Sequence, residues 1–163
     1  SALTLDIFHR NCGKVKMACV AQTVNVLNAL FLTDGKRFIR TPNYDVFQMY
    51  MVHRGAVLID SRCSFEKNET ARVHVLASLK DNAVSINIIN TSYDHSEDVE
   101  IALPGNYTYL SGKVLCSGAP EDYNSWEQPD LIRARECDPL VKTPGGWLAC
   151  IPAASVSVYQ FKQ

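Results

Sequence analysis

The pattern of apolar and polar positions changes character near Gly55. Before this residue, apolar side chains mostly recur three to four positions apart, a spacing that is typical of helices. After it, apolar and polar residues alternate, as they do in strands that bury one face. The pattern therefore predicts a helix-containing portion over residues 1–54 and a mainly β domain over residues 55–163.

A helix and a buried strand are predicted at the start of the chain. Leu3, Ile7 and Phe8 fall on one side of this helix, and Gly13 is suited to cap its C-terminus. Residues 15–21 are apolar apart from one lysine, which predicts a strand that is buried on both faces. Helix, tight turn and buried strand together form an α/β unit.

A second helix is predicted after a long loop over residues 23–40, which fits short helical or extended pieces and contains a turn at residues 33–36. Thr41-Pro42 is typical of a helix start, with Thr as the N-cap and Pro in the first helical position. Gly55 ends this helix. Four side chains at helical spacing are predicted to line one face: Val46, Phe47, Tyr50 and Met51.

The β prediction rests on several short alternating runs. Residues 73–79 and 84–88 are separated by Asp81-Asn82, which predicts a β-hairpin. The other predicted strands cover residues 99–103, 107–109, 112–116, 131–135, 147–151 and 155–161. This succession of short strands predicts an antiparallel β-sandwich of the jelly-roll or Greek-key type. Because no flexible linker marks the boundary near residue 55, we expect the two portions to pack tightly.

The charge and hydropathy of the chain disfavour two classes of partner. The 163 residues include 16 basic and 17 acidic side chains, for a net charge of −1. No run of Lys or Arg stands out, so nucleic-acid binding is not predicted. The longest apolar runs are far shorter than the roughly 18 residues that a membrane span needs. Since the chain begins at Ser1 and not at Met, we expect a piece of a longer protein.

Six cysteines occur without a closely spaced pair: Cys12, Cys19, Cys63, Cys116, Cys137 and Cys150. Their even number leaves disulfides open, although disulfide scaffolds are denser, with more than about 8% cysteine. Asn68, Asn90 and Asn106 each begin an N-glycosylation sequon, and such triplets also arise by chance in polar loops. Neither pattern predicts a compartment.

Carboxylates are placed unfavourably for catalysis. Glycoside hydrolysis needs two of them, one on each side of the bond that breaks. The first 54 residues contain no Glu, and Asp6, Asp34 and Asp45 fall in a predicted helix, a turn and a helix. The later Glu residues lie at turns or on exposed strand faces. We therefore predict no catalytic residue within this chain.

A metal site is not predicted either. His9, His53, His74 and His95 are scattered without the spacing of a zinc site. His53 falls in the last turn of its helix, where a positive charge is favourable. Cys19 lies in the predicted buried strand, and we interpret it as a small apolar residue.

Gln22 and Asn25 are the candidate substrate-binding residues. Gln22 follows the predicted buried strand directly, and Asn25 lies three residues further on. Polar side chains at the carboxyl ends of parallel strands form the ligand sites of α/β barrels. A neutral amide both donates and accepts hydrogen bonds, which suits sugar hydroxyls. An ordinary loop amide is the alternative for each residue.

Residues 15–26 (VKMACVAQTVNV) closely resemble a signature of the α-L-arabinofuranosidases of glycoside hydrolase family fifty-one. Four other segments resemble the same family in the same order along the chain: residues 2–8 (ALTLDIF), 41–50 (TPNYDVFQMY), 122–130 (DYNSWEQPD) and 151–156 (IPAASV). One departure is Cys19, where the family usually has Asn. It concerns the local hydrogen bonds beside Gln22.

The resemblance implies that residues 1–54 are the end of a (β/α)8 barrel, namely its seventh helix, eighth strand and eighth helix. Residues 55–163 would be the C-terminal β-sandwich. Family members remove terminal arabinofuranosyl groups with retention, and they use two Glu residues on earlier barrel strands. The Gln after the eighth strand contacts substrate and maps onto Gln22.

The resemblance also implies partners for the chain. The substrate would be an arabinose-containing oligo- or polysaccharide of the arabinan or arabinoxylan type, and no cofactor is expected. The remainder of the barrel must be supplied, so this chain is expected to be inactive alone. The family's sandwich also borrows a strand from the N-terminus of the full enzyme, which leaves an edge to be covered. A homo-oligomer is expected.

Two other functions stay open from the sequence. The β domain is a carbohydrate-binding module if Trp126, Trp147 and Tyr123 form a stacking platform, although sandwiches more often place such aromatics in the core. Alternatively, residues 55–163 are a structural sandwich that stabilises the barrel. This last function is compatible with the enzyme prediction.

Overall fold

The computed structural model describes residues 1–19, 22–64, 72–119 and 121–163. In chain order its elements are α1 (Ala2–Arg10), β1 (Phe31–Asp34), β2 (Arg37–Arg40), α2 (Pro42–Tyr50), a 3₁₀ helix (Met51–His53), β3 (Val57–Ile59), β4 (Val73–Lys80), β5 (Ala83–Asn90), β6 (Glu97–Ile101), β7 (Thr108–Leu115), β8 (Arg135–Glu136), β9 (Val141–Lys142), β10 (Trp147–Ile151) and β11 (Ser155–Lys162). Within these ranges no helix has the length and apolar character to cross a membrane.

Two antiparallel sheets form most of the fold. The larger sheet has the strand order β3-β4-β5-β11-β7-β8, and the smaller has the order β6-β10-β9. Their facing sides enclose an apolar core that includes Ile86 and Ile88 of β5, Ile101 of β6, Ile151 of β10 and Phe161 of β11. The prediction of a mainly β, antiparallel sandwich is confirmed.

The hairpin that joins β4 to β5 is also confirmed. The two strands pair in register along their whole length. Asp81 and Asn82 form the turn with φ values of 50° and 62°. Two successive residues with positive φ are typical of a type I′ turn, whose twist matches the flanking strands, and Asp and Asn tolerate this conformation.

The helices α1 and α2 pack on the outer face of the larger sheet. A second apolar cluster joins residues of the helices to residues of the sheet and of the loop before β8: Ala2, Val46, Met49, Tyr50, Ile89, Leu115, Ile132 and Val158. β5 is consequently buried on both faces. Its Ser85 and Asn87, which alternate with the apolar residues, lie beneath the helices and are 4% and 0% exposed.

The predicted buried strand over residues 15–21 is wrong for residues 15–19, which have no regular secondary structure. Met17 is 83% exposed, and Cys19 is exposed, not buried. A buried parallel strand needs hydrogen-bonded neighbours on both sides. The described strands make no pairing with this segment. Residues 20–21 lie outside the described ranges.

α1 is confirmed as a helix, but its buried face differs from the predicted one. Ala2 and Asp6 are its buried residues, whereas Leu3 and Ile7 are 38% and 59% exposed. The Tyr50 hydroxyl lies 2.6 Å from Asp6 Oδ1 and 3.1 Å from the Ala2 carbonyl oxygen. These polar contacts orient the helix so that its small and polar side meets α2.

α2 begins as predicted, with Thr41 at the N-cap and Pro42 at the first helical position. Val46 and Tyr50 are buried as predicted, but Met51 is 52% exposed. From this residue onward the helix tightens into a 3₁₀ helix, whose three residues per turn rotate side chains away from the α-helical positions.

Three smaller predictions are also corrected. The C-cap of α1 is Asn11, with φ −104°, so Gly13 is not its cap. The two predicted strands over residues 107–109 and 112–116 form one continuous strand, β7. Of the predicted strand over residues 131–135, only Arg135 belongs to a strand. The Ile132 N–H donates to a side-chain amide instead of a neighbouring strand.

Candidate functional site

Gln22 is exposed and begins an irregular stretch that we call the Gln22 segment, residues 22–30. The carbonyl oxygen of Thr23 accepts hydrogen bonds from the N–H groups of Leu30 (3.0 Å) and Phe31 (3.1 Å). Val24 forms an isolated parallel bridge with Phe31. The backbone beside Gln22 is therefore held against β1, while its side chain faces solvent.

Asn25 uses its side-chain amide within the fold. Its Nδ2 donates to the Thr33 carbonyl oxygen (3.0 Å), and its Oδ1 accepts from the Thr33 N–H (2.8 Å). Its own N–H donates to the Phe31 carbonyl oxygen (3.1 Å), and its φ is 56°, a conformation that Asn adopts more readily than most residues. Asn25 thus links the Gln22 segment to β1, and its contact with substrate stays a prediction.

β1 and β2 form a hairpin, and a loop from the β domain reaches it. We call it the clasp, residues 121–134. The Asn124 side chain donates through Nδ2 to the carbonyl oxygens of Arg40 (2.9 Å) and Ile132 (3.1 Å), and its Oδ1 accepts from the Ile132 N–H (2.8 Å). The Arg37 guanidinium carbon lies 4.6 Å from the centre of the Trp126 ring, a cation–π contact. The clasp is thereby joined to β2.

A partly buried ion pair joins the clasp to α2. Arg133 Nη2 donates to Asp45 Oδ1 at 3.1 Å, and Arg133 Nε lies 3.0 Å from Asp45 Oδ2. The second contact is electrostatic only, because neither atom makes a hydrogen bond. Arg133 Nη1 also donates to Asp130 Oδ1 at 3.0 Å. The side chains of Asp45 and Arg133 are 6% and 22% exposed, so water screens this pair weakly.

A buried polar cluster lies between the helices and the larger sheet. His53 Nδ1 is 2.7 Å from Ser78 Oγ, and His53 Nε2 is 2.8 Å from Asn87 Oδ1. Because an amide oxygen only accepts, Nε2 is assigned the proton and Nδ1 accepts from the serine hydroxyl. This geometry fits a neutral imidazole. The His9 ring lies beside it, with ring centres 5.6 Å apart.

Burial determines the charge preferences in this cluster. It lowers the pKa of His53 and of His9, and it raises the pKa of the Asp6 carboxyl. His53 lies in the last turn of the 3₁₀ helix as predicted, but the predicted preference for a positive charge there is wrong, because the residue is only 4% exposed and burial lowers its pKa. Serine and asparagine on the helix-facing side of β4 and β5 were the available sequence signal for such a cluster.

The predicted aromatic platform does not form. Trp147 is 6% exposed and packs in the sandwich core, 4.9 Å from Phe161 between ring centres. Tyr123 is 70% exposed, whereas Trp126 is covered by Arg37. A carbohydrate-binding surface made of these three tryptophan and tyrosine rings is therefore excluded.

The remaining candidates concern metals, thiols and sequons. In the part of the chain that the structure describes, no group of three or more His, Cys, Asp or Glu residues is placed to hold a metal ion. All six cysteines carry free thiols.

Asn90 is 1% exposed and donates to three carbonyl oxygens, so it is not an accessible glycosylation site. Asn106 is exposed, and Asn68 lies outside the described ranges.

These features define an antiparallel β-sandwich with two helices on the outer face of its larger sheet and a β1–β2 hairpin that contacts α2. The family model of the α-L-arabinofuranosidase C-terminal domain matches residues 1–155. This chain therefore belongs to the α-L-arabinofuranosidase C-terminal domain family. The membership confirms the family resemblance of the sequence.

A relative from Bacteroides ovatus, described as an intracellular exo-alpha-L-arabinofuranosidase, is 34% identical over 164 residues. The match covers 96% of this chain and 32% of the relative. Among solved structures, the GH51 arabinofuranosidase from Xanthomonas axonopodis pv. citri is similar over 99% of this chain and 34% of that protein, with 27% identity and a TM-score of 0.88.

The alpha-L-arabinofuranosidase from Thermotoga maritima, solved as an arabinose complex, matches 99% of this chain and 37% of its own, with a TM-score of 0.83. Its identity is 16%, so it supports the fold alone. This chain thus spans about a third of the length of the relatives that it matches.

Proposed function

We propose that this chain is the C-terminal part of a retaining α-L-arabinofuranosidase that removes terminal arabinofuranosyl residues from arabinan- or arabinoxylan-type polysaccharides. The observation that carries the proposal is the family match over residues 1–155. The 34% identity to a relative described as an exo-alpha-L-arabinofuranosidase supports it. A homo-oligomer of the full-length protein is part of the same proposal.

In this proposal, residues 1–54 are the end of a (β/α)8 barrel and residues 55–163 are the C-terminal sandwich. The apolar side chains that the first portion exposes support this division. Leu3 and Ile7 project from α1, and four residues of the run over residues 15–19 are exposed, with Val15 partly buried. A run of this kind becomes a buried strand only when neighbouring barrel strands pair with it.

The catalytic groups of the parent enzyme then lie outside this chain. A retaining glycosidase uses one carboxyl group as the acid/base and another as the nucleophile. We propose that both are Glu residues on earlier barrel strands. The sandwich has a structural role, and this chain alone does not hydrolyse arabinofuranosides.

Gln22 contacts the substrate in the assembled barrel, and Asn25 lies next to it. An exposed amide supplies both a donor and an acceptor to sugar hydroxyls. Because the backbone of the neighbouring Thr23 is held against β1, the Gln22 side chain starts from a defined position. The amide of Asn25, which is bonded to Thr33, ties the same segment to β1 at a second point.

An activity assay tests the parent assignment. The full-length protein that contains this chain is compared with residues 1–163 alone on an aryl α-L-arabinofuranoside. We expect turnover by the full-length protein and none by the chain alone. Turnover by the chain alone would contradict the division of catalytic groups, and an inactive full-length protein would contradict the proposed activity.

A substitution tests the role of Gln22. In the full-length enzyme, Gln22→Ala removes one or two hydrogen bonds to substrate, so we expect kcat/KM to fall about 3- to 30-fold. Gln48→Ala is the matched control, because Gln48 is exposed on α2. Equal kinetics for the two variants would show that Gln22 makes no substrate contact.

A further inference from the structure

The clasp is the connection between the sandwich and the Gln22 segment. We propose that Asn124 and Trp126 are positioning residues for Gln22: they hold strand β2, and through β1 they fix the backbone from which Gln22 projects. This inference rests on the proposed role of Gln22 as a substrate contact. It adds a function for the C-terminal domain, since the sandwich then shapes the substrate site.

The first connection joins the clasp to β2. The clasp contacts β2 at both ends of the strand. Arg37 is the first residue of β2 and lies over the Trp126 ring, and Arg40 is the last and accepts a hydrogen bond from Asn124. Asn124 is only 5% exposed, so water competes weakly for this bond. Two contacts at opposite ends of a four-residue strand restrain both its position and its direction.

The second step runs from β2 to β1 and then to the Gln22 segment. β1 and β2 pair along their whole length, and the Thr33 hydroxyl donates to the Arg37 carbonyl oxygen (2.9 Å). Thr33 in turn exchanges two hydrogen bonds with the Asn25 side chain. Phe31 bonds to Thr23, the residue next to Gln22. The path from the clasp to Gln22 is therefore a continuous series of hydrogen bonds and strand pairs.

The clasp itself is anchored firmly enough to act as a support. Arg133 binds the buried Asp45 of α2, and Ile132 is 7% exposed within the apolar cluster beneath the helices. Asn124 also closes the clasp on itself through its two bonds to Ile132. The clasp therefore connects the β1–β2 hairpin to α2 and to this apolar cluster.

Hydrogen exchange in the full-length protein tests the positioning directly. Trp126→Ala and Asn124→Ala should each speed exchange at the N–H groups of Leu30, Phe31 and Thr33, by on the order of 10-fold. Trp126→Phe keeps an aromatic face and should restore slow exchange. Tyr123→Ala is the matched control, since Tyr123 is 70% exposed in the same loop. Unchanged exchange in the Trp126→Ala variant overturns the proposal.

A double-mutant cycle tests whether the positioning acts through Gln22. We expect Trp126→Ala to lower kcat/KM on the order of 10-fold in the wild-type background. In the Gln22→Ala background it should change kcat/KM by less than about 2-fold, because the group that it positions is gone. Equal losses in both backgrounds overturn the proposal. If Asn124→Ala does not fold, both the hydrogen-exchange test and the double-mutant cycle are done with Trp126→Ala, which removes only a partly buried ring.

The two proposals fail in different ways. An inactive full-length protein contradicts the proposed activity, and the exchange measurement still decides whether the clasp holds the Gln22 segment. An active protein with unchanged exchange in the clasp variants contradicts the positioning role alone.

Discussion

His53 carries two hydrogen bonds inside the protein, to Ser78 and Asn87, where the sequence predicts a helix-end residue favourable for a positive charge. Its environment is decided by residues from two different strands, which approach only when the sheet forms. Burial therefore favours the neutral imidazole and lowers its pKa below the usual 6.5. The same cluster contains Asp6, whose pKa is raised by burial.

The pKa of His53 predicts a loss of stability in mild acid. Because the folded pKa is lower than the unfolded one, the unfolded chain binds the proton more tightly. The contribution of neutral His53 is present above about pH 6.5 and is lost as the pH falls toward the folded pKa. We expect urea denaturation from about pH 8 to about pH 5 to show a decreasing free energy of unfolding, with a smaller slope for His53→Gln.

The control for this measurement is His95→Gln, because the His95 side chain is 61% exposed. Because the pKa of His9 is also lowered, the free energy of unfolding of His53→Gln still decreases somewhat as the pH falls. Asp6 has the opposite sign, since a raised carboxyl pKa stabilises the fold as the pH falls through it. Identical slopes for the wild type and His53→Gln would refute the prediction.

The pair of Arg133 and Asp45 predicts a large loss of stability on removal of one partner. Arg133→Met leaves the Asp45 carboxylate, 6% exposed, without its positive partner. We expect the free energy of unfolding to fall by about 1–3 kcal/mol, since a buried charged group then lacks its partner. Arg62→Met is the control: its pair with Asp60 is 89% and 76% exposed and contributes less than about 1 kcal/mol.

A second variant separates pairing from packing at this site. In Asp45→Asn combined with Arg133→Met no buried charge is left unpaired, so the double variant should be more stable than Arg133→Met alone. Asp45→Asn alone is measured as well. If the double variant loses as much stability as Asp45→Asn and Arg133→Met lose together, the unpaired buried charge is not the cause.

At the scale of elements, the backbones of β10 and β6 lie so close together at residue 146 that they restrict which residue fits there. Trp147 pairs with Ile101, and Gly146 precedes this pair. A Cβ atom at Gly146 would lie 2.0 Å from the Ile101 carbonyl oxygen, a backbone atom that cannot rotate away. The start of the smaller sheet's central strand therefore requires glycine at this position.

Gly146→Ala should consequently lower the free energy of unfolding by about 1–3 kcal/mol, or more if the strands separate. Gly13→Ala is the matched control, because no atom lies within 4 Å of the added Cβ there. We expect that control to stay within about 0.5 kcal/mol of the wild type in urea denaturation. An equal effect of both substitutions would contradict the proposed clash.

At the scale of the whole molecule, the exposed apolar side of α1 stands out. Leu3 and Ile7 line a cleft of about 360 Å³ together with Val73 and Val75 of β4. The opposite side of the helix already packs in the helix-sheet cluster. In the proposed parent enzyme, we expect the remainder of the barrel to cover this exposed side.

Ile7→Gln distinguishes the chain alone from the full-length protein. Ile7 is 59% exposed in this chain, so the substitution should change the free energy of unfolding by less than about 0.5 kcal/mol. In the proposed parent enzyme we expect the rest of the barrel to bury this side chain, so that the substitution lowers the free energy of unfolding by about 1–3 kcal/mol. Tyr93→Gln, at a residue 74% exposed, should be neutral in both. Equal effects of Ile7→Gln in the two contexts would show that α1 packs on nothing further.

The sequence by itself determined the elements whose signals are local. Alternation placed β4, β5, β10 and β11, because a strand with one apolar side repeats every two residues. Asp81-Asn82 marked the hairpin and Thr41-Pro42 marked the start of α2, because these turns and caps depend on the residues themselves.

Only the tertiary structure decided which faces are covered and which polar groups meet. β5 is buried on both sides because helices cover its second face, and α1 turns Asp6 inward because Tyr50 lies there. The sequence predicts a strand over residues 131–135 of the clasp, yet the Asn124 amide takes the place of a neighbouring strand. The apolar run over residues 15–19 forms no strand, because hydrogen-bonded neighbours, and not apolar residues alone, make a buried strand.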